Sequence, residues 1–455
     1  MSSVLDAATR TAQRELARGV AAALADRGVR AVALTWVDNS GITRMKGVPV
    51  RRLDSAAAWG AGASPVFDTF LFDDATVMAQ HAGGPVGDLR LHPDLRRLTV
   101  LAAQPGWAWA PADRYTQDGE RHPQDARATC RAQADRLAAR GYAVRAGFEV
   151  EWCVSAGPGD VFVPATAGPA YGMTRVVELS DYLRDLLAAF DAQEVDVLQV
   201  HPEYAAGQFE VSVAPEDPVG AADTTVLVRE TIRAVSVRHG LRATFAPKVV
   251  AGGVGNGGHV HVSLWRDGVN VMAGGPGAAG MTGDGEAFAA GILRRLPALL
   301  TLGAPSVASY LRLIPSHWAG AYACWGVENR EAALRFVPGP AGDRESAANL
   351  EIKCFDAAAN PYLALAGLLA AGAAGISAEA QLPPLVDVDP ATVDGVPRLP
   401  TTLADAVAAF SADDVLNAAL GDQLADTIVA VRRGEVARLA DASAAEIVAR
   451  TLWRY

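Results

Sequence analysis

Apolar residues at Leu5, Ala8, Ala12, Leu16, Val20 and Leu24 recur every three or four positions, which puts them on one stripe and predicts an amphipathic helix over residues 5–27. The rhythm changes at Val29. Residues through Val37 alternate as a strand does, Asp38-Asn39-Ser40-Gly41 carries turn chemistry, and Ile42 to Gly47 predicts the returning strand. A strand-like pattern continues to about Trp109. The polar run Asp118-Gly119-Glu120-Arg121-His122-Pro123 interrupts it, and Asp125 to Arg140 resumes a helical period. The change of pattern places a domain boundary near residue 122, with residues 1–122 as a small first domain and 123–455 as a larger second one. In the second domain, strands that hold acidic motifs are separated by helices. Tyr362 to Ile376 is the longest apolar run, about 15 residues, which is short of the roughly 20 that span a bilayer and predicts a buried helix. Leu382 to Pro400 is rich in Pro and Asp and reads as loop, and the last 50 or so residues read as amphipathic helices.

Composition narrows the class. Of 455 residues, 50% are hydrophobic and 20% charged, as in a globular enzyme with ample core. The net charge of −11 argues against a general nucleic-acid binder, whereas a nucleotide enzyme needs its basic groups to converge only locally. The start, Met1-Ser2-Ser3-Val4-Leu5-Asp6, lacks the apolar core of a signal peptide. Cys130, Cys153, Cys324 and Cys354 form no Cys-x-x-Cys pair, which speaks against a disulfide framework or zinc site and fits a reduced cytoplasm. The expectation is a cytoplasmic enzyme acting on small molecules, with no nucleic acid or membrane partner.

The chemistry is concentrated in a few strings. Gly147-Phe148-Glu149-Val150-Glu151-Trp152 reads as a strand, and a two-residue period puts both carboxylates on one face, where they repel unless a cation lies between them. Gly255-Asn256-Gly257-Gly258-His259-Val260-His261-Val262-Ser263 ends with two imidazoles on one face of a second strand, after glycines that permit close backbone approach. In His201-Pro202-Glu203-Tyr204-Ala205-Ala206-Gly207-Gln208-Phe209-Glu210, a turn can fold Glu203 and Glu210 back towards one point. Arg312, Arg330 and Arg335 supply forked donors suited to phosphate and carboxylate, and Leu350-Glu351-Ile352-Lys353 alternates ahead of Asn360-Pro361-Tyr362. Oxygen-rich sites with an occasional imidazole suit Mg²⁺ or Mn²⁺, the ions that accompany ATP.

Taken in order, these motifs resemble the glutamine synthetase superfamily, type I, over nearly the whole chain. The Asn-Gly-Gly-His-Val-His and Asn-Pro-Tyr-Leu-Ala strings and Gly87-Asp88-Leu89-Arg90-Leu91-His92-Pro93-Asp94 carry the likeness. The resemblance implies an α+β protein: a small N-terminal β-grasp domain, then a catalytic domain with a curved antiparallel sheet flanked by helices. It implies one divalent ion held by Glu151, Glu203 and Glu210, a second held by Glu149, His259 and Glu351, and ATP as co-substrate. Arg330 and Arg335 match groups that neutralise the transferred phosphoryl. Arg312, Asn256, Gly257, Lys353 and Glu151 match substrate-side positions, and His261, Ser263 and Arg335 nucleotide-side ones. A homo-oligomer is implied, a dodecamer of two stacked rings with each site shared between subunits.

Three departures from the family pattern stand out. Where true synthetases carry a flap glutamate that helps bind ammonium, this chain reads Pro315-Ser316-His317-Trp318-Ala319-Gly320, with Trp318 in its place. Lys353 stands where the family has an arginine, which keeps charge and loses bidentate geometry. The neighbouring-subunit loop is matched only by Val66-Phe67-Asp68-Thr69-Phe70, with Asp68 as its acid. An altered ammonium site beside intact metal ligands implies a changed nucleophile, as in actinobacterial ligases that join glutamate to ethanolamine or polyamines. Trp318 favours a small organic amine such as ethanolamine. The alternatives are a polyamine or specialised-metabolite ligase, an ammonia-dependent synthetase, and a non-catalytic sensor or scaffold.

Overall fold

The structure, a computed structural model, describes residues 4–157 and 159–455. It opens with helix α1 (Ala7–Asp26), capped where Asp6 accepts the Thr9 N–H at 2.7 Å. Then come β1 (Ala31–Val37), β2 (Thr43–Pro49), α2 (Leu53–Trp59), β3 (Ala61–Ala63), β4 (Leu89–Pro93), β5 (Thr99–Val100) and β6 (Trp107–Thr116). These six strands form one sheet in the order β2-β1-β6-β4-β3, with β5 on β6. The predicted hairpin is present: Val37 faces Thr43, and Asp38 accepts the Ser40 and Ile42 N–H groups at 2.9 Å across the turn. β1 and β6 run parallel, and the sheet closes over α1 and α2 through Leu24, Val32, Leu34, Leu53 and Leu91. This is the grasp-like arrangement expected.

The remainder of the chain builds the second sheet and its helices. Its elements are α3 (Ala126–Ala138), β7 (Tyr142–Ala156), α4 (Met173–Glu178), α5 (Ser180–Ala192), β8 (Val197–Pro202), β9 (Gln208–Val213), α6 (Pro218–Arg238), β10 (Leu241–Thr244), β11 (Val260–Arg266) and β12 (Val269–Asn270). After them come α7 (Gly283–Gly303), β13 (Tyr322–Val327), β14 (Ala332–Val337), α8 (Arg344–Ala347), β15 (Asn349–Ile352), α9 (Pro361–Ser377), α10 (Leu403–Ser411), α11 (Asp414–Leu420), α12 (Asp422–Arg438) and α13 (Ala444–Thr451). The nine strands run β13-β14-β15-β11-β7-β9-β8, with β10 on β7 and β12 on β11. All pairs are antiparallel except β13 with β14. The 15-residue β7 is the spine: its first half pairs with β11 and its second half with β9, so residues near Glu149 sit where the sheet forks.

Helices cover the other face. α9 is the buried helix the apolar run predicts, and it lies so close to α7 that a Cβ on Gly291 would stand 2.3 Å from the Ala371 carbonyl oxygen. Among the described residues, no helix is long and apolar enough to cross a membrane. The first sheet is tied to the second by Arg127, whose guanidinium bonds Asp94 at 2.9 Å, Asp113 at 2.7 Å and Asp223 at 2.8 and 2.9 Å, all from different elements. Tyr362 donates to the same Asp223 at 2.6 Å.

The structure differs from the sequence pattern between residues 50 and 88. The pattern predicts strand; the chain forms α2, the three-residue β3 and irregular loop. Seven residues of α2, with Leu53, Ala56, Ala57 and Ala58 buried, are too few to display a helical period.

Candidate active site

Pairing register assembles the site. Glu151 on β7 faces Glu210 on β9, His201 on β8 faces Glu210 from the other side, and His261 on β11 faces Glu351 on β15. Because alternate residues share a face, carboxylates and imidazoles from five strands point into one space. His259, just before β11, bonds Glu149 at 2.8 Å and lies 3.8 Å from Glu151 and 3.5 Å from Glu351. His261 reaches Glu149 at 3.2 Å and Asn349 at 2.8 Å. His201 lies 3.2 Å from Glu210 and 3.5 Å from Glu203.

Three overlapping triads result: Glu149–Glu210–His259, Glu149–His261–Glu351 and His201–Glu203–Glu210, each with its ligand atoms within 4.8 Å of one another. The triads hold four carboxylates and three imidazoles, and Glu151 adjoins them 3.8 Å from His259; each is buried or half-buried. That chemistry fits hard divalent cations such as Mg²⁺ or Mn²⁺.

Burial, reinforced by Glu210 and Glu203 and opposed by His259, pushes the Glu151 carboxyl up to about 7. Burial and Glu210 also raise Glu203. Glu149 goes the other way: burial disfavours its charge, but hydrogen bonds from His259 and His261 hold it well below the usual carboxylate range. Glu351 is held at about 2, against burial, chiefly by the Lys353 ammonium 3.0 Å away. The Glu210 hydrogen bond lifts His201 to about 9, and Glu149, against burial, lifts His261 to about 9.

Around this cluster the loop Gly255–Gly258 is fixed tightly. The Gly257 N–H donates to Glu151 at 2.9 Å, and Asn256 spends its side chain on the Ala246 carbonyl at 3.0 Å and on Gln208 at 3.0 Å. Gln208 also donates to Glu151 at 2.8 Å. Arg335 donates to Glu351 at 2.8 Å and pairs closely with Glu328. Arg312 is buried and donates to the Lys353 carbonyl at 2.7 Å. Arg330 is exposed in the turn between β13 and β14. Ser263 is buried and its hydroxyl accepts the Trp265 indole N–H at 2.9 Å. Trp318 sits on the segment before β13 with 57% of its surface exposed.

Asp68 is buried within the first sheet's part of the chain, held by Arg114 at 2.6 Å and His122 at 2.9 Å, so within the single chain its charge is matched. Sequence reasoning missed groups that touch the cluster. His201 stands two residues before Glu203, the spacing that puts both on one strand face, and that spacing could have revealed it. The Gln208 and Tyr171 contacts carry no such signal; the Tyr171 hydroxyl donates to Glu203 at 2.9 Å from a distant loop. Lys248 is buried beside Arg312 with no partner for its ammonium among the described residues, and burial and that arginine push it down to about 8.

The family model for the glutamine synthetase catalytic domain matches residues 123–449. The chain belongs to the glutamine synthetase family. It is an enzyme of that family's ligase class. A gamma-glutamylpolyamine synthetase of Streptomyces coelicolor is 56% identical over 456 residues, covering 98% of each chain. The glutamine synthetase of Halobacterium salinarum is 29% identical, covering 90% of this chain and 91% of its own. Among solved structures, a glutamine synthase homologue superposes with a TM-score of 0.85 at 34% identity, covering 94% of this chain and 99% of its own. An ADP complex of GmaS gives 0.82 at 27% identity, covering 93% and 96%. The α+β fold, with its curved, mostly antiparallel sheet, is the one these structures share.

Proposed function

We propose that this protein joins the γ-carboxylate of glutamate to an organic amine at the expense of ATP, and that the amine is a di- or polyamine. The carrying observation is the convergence of Glu149, Glu203, Glu210, Glu351, His259 and His261 on one face of a forked sheet, with Glu151 3.8 Å from His259 and Arg335 and Arg312 beside them. A carboxylate is a poor electrophile, so the first step transfers the γ-phosphoryl of ATP to the glutamate γ-carboxylate. A neutral amine nitrogen then attacks the acyl carbon, the carbon–oxygen bond to phosphate breaks, and the amine proton leaves to a base or to solvent.

Glu151, Glu203 and Glu210, joined by His201, would hold one divalent cation, and Glu149, His259 and Glu351 a second. Bound there, Mg²⁺ or Mn²⁺ supplies charge neutralisation for the phosphoryl oxygens. Arg335 and Arg330 add guanidinium charge on the phosphoryl side, with His261 and Ser263 towards the nucleotide. Arg312, Lys353 and the Asn256–Gly257 loop bind the amino acid. Gly257 holds Glu151 through its N–H, and Gln208 fixes the other side of that carboxylate, so both are positioning residues. The family's usual assembly supports a homo-oligomer, and a dodecamer with sites between subunits is proposed.

The 56% identical relative supports a polyamine over ethanolamine. A small monoamine is the second reading, favoured by Trp318 in the place of a flap carboxylate. Purified protein with ATP, Mg²⁺ and glutamate, assayed for phosphate release across ammonium, ethanolamine, small monoamines and polyamines, with product masses, decides. Turnover with ammonium alone overturns the amine-ligase reading.

A further inference from the structure

The flap that carries Trp318 has lost its acid, but a carboxylate meets it from below. Ser316 and Trp318 both adopt left-handed backbone, φ 61° and 52°, so the segment folds as a tight knuckle. Glu331, at the entry to β14, ties it down: its Oε1 accepts the Trp318 N–H at 2.7 Å. Glu331 is only 7% exposed, and its Oε2 has no hydrogen-bond donor among the described residues. A buried carboxylate oxygen without a donor is costly, more so when charged, and such a group awaits a cation.

The surroundings deepen the negative potential. Asn329 accepts the Glu331 N–H at 3.1 Å and donates to the Val386 and Val388 carbonyls at 2.9 and 3.0 Å. Those bonds draw the loop after α9 against the turn between β13 and β14, where Asp389 acts on Glu331 and the flap's His317 opposes it. The other candidate acids are closed: Glu328 pairs with Arg335, and Asp68 with Arg114 and His122. Trp318, whose backbone N–H holds the other oxygen of this carboxylate, leaves its indole largely exposed, a surface that packs methylene groups and attracts cations.

We infer that Glu331, anchored to the Trp318 backbone, binds the distal ammonium of a di- or polyamine substrate. This rests on the reading of the chain as a γ-glutamyl–amine ligase. The attacking nitrogen must be neutral, but a second alkyl amine, with a pKa near 10 like that of lysine, stays protonated at neutral pH and needs an anion at its end of the chain. Glu331 is that anion; a monoamine of the same length leaves it unmatched.

The test compares 1,4-diaminobutane with n-butylamine in wild type and Glu331→Gln. Glutamine keeps an oxygen for the Trp318 N–H, so the flap stays anchored while the charge is lost. The ratio of kcat/KM for diaminobutane over n-butylamine is expected to fall 10- to 100-fold, carried by KM for the diamine. A Glu331→Asp variant, which restores charge, recovers part of the ratio. A wild type that turns over diaminobutane and a Glu331→Gln protein with the same ratio overturn the inference alone. A wild type that uses only ammonium overturns the ligase reading and the inference with it.

Discussion

Gly257 is the position where one methyl group says most about the site. A Cβ there would stand 2.6 Å from His259 Nε2 and 2.7 Å from Glu151 Oε1. Both side chains are buried and hydrogen-bonded, at 7% and 8% exposure, so neither swings away freely. Restoring the 3.4 Å of ordinary contact moves the imidazole or the carboxylate by about 0.8 Å. Displacements near 1 Å in a positioned constellation cost about 100-fold in rate, and disturbed support of metal ligands about 10–100-fold in affinity. Gly257→Ala should therefore weaken Mn²⁺ binding 10- to 100-fold, read by calorimetry or electron paramagnetic resonance, and lower kcat/KM for phosphate release about 100-fold. Global stability should fall by about 1–3 kcal/mol from the overpacking, partly offset because Gly257 lacks a left-handed φ and alanine restricts the unfolded chain. Gly19→Ala in α1, where nothing lies within 4 Å, is the control, with full activity and a slightly firmer helix. If Gly257→Ala keeps metal affinity and rate within about threefold, the close approach of this loop to Glu151 and His259 does not matter to the chemistry.

The same structure sets other outcomes. Arg127→Met leaves Asp94, Asp113 and Asp223 without their shared cation and should lower stability by about 3–5 kcal/mol in urea unfolding; a loss below about 1 kcal/mol would show that the seam is held otherwise. Trp318→Glu should shift amine preference towards ammonium, and unchanged or lower ammonium use in a folded protein removes Trp318 as the selectivity switch. Burial, reinforced by Asp38 and opposed by Arg432, raises Glu435 to about 7, and burial, opposed by Arg44, raises Asp38 to about 6. Folded-state values above unfolded ones mean stability that is full below about pH 4 and lost as pH rises through 6 to 7, so Glu435→Gln should flatten the decline in melting temperature between pH 5 and 8. An unchanged slope would place that ionisation elsewhere.

Much of this was legible in the chain because the signal was local. The Glu149/Glu151 and His259/His261 spacings fix a strand face, and a strand face is a two-residue property. The same logic applies to α1 and the first hairpin, whose periods persist over many residues, while α9 shows as a continuous apolar run. What stayed hidden depends on partners far away in sequence. Asp68 reads as an exposed loop acid until Arg114 and His122, 46 and 54 residues on, are seen to enclose it. Gln208 looks like a turn residue until the register sets its amide between Glu151 and Asn256. Glu331 carries no signal in the sequence; only the left-handed flap brings the Trp318 N–H onto its carboxylate. Helix α2 escaped for another reason: seven residues give less than two turns, too short for periodicity to separate helix from strand.

Crystals grown with ADP and Mn²⁺, and an anomalous difference map at the manganese edge, put the metal-dependent ligase reading to its hardest trial. Strong peaks are expected among Glu149, Glu151, Glu203, Glu210, Glu351 and His259, with the nucleotide phosphates alongside. Density for ADP without anomalous signal among those side chains, or manganese held elsewhere in the molecule, would contradict it.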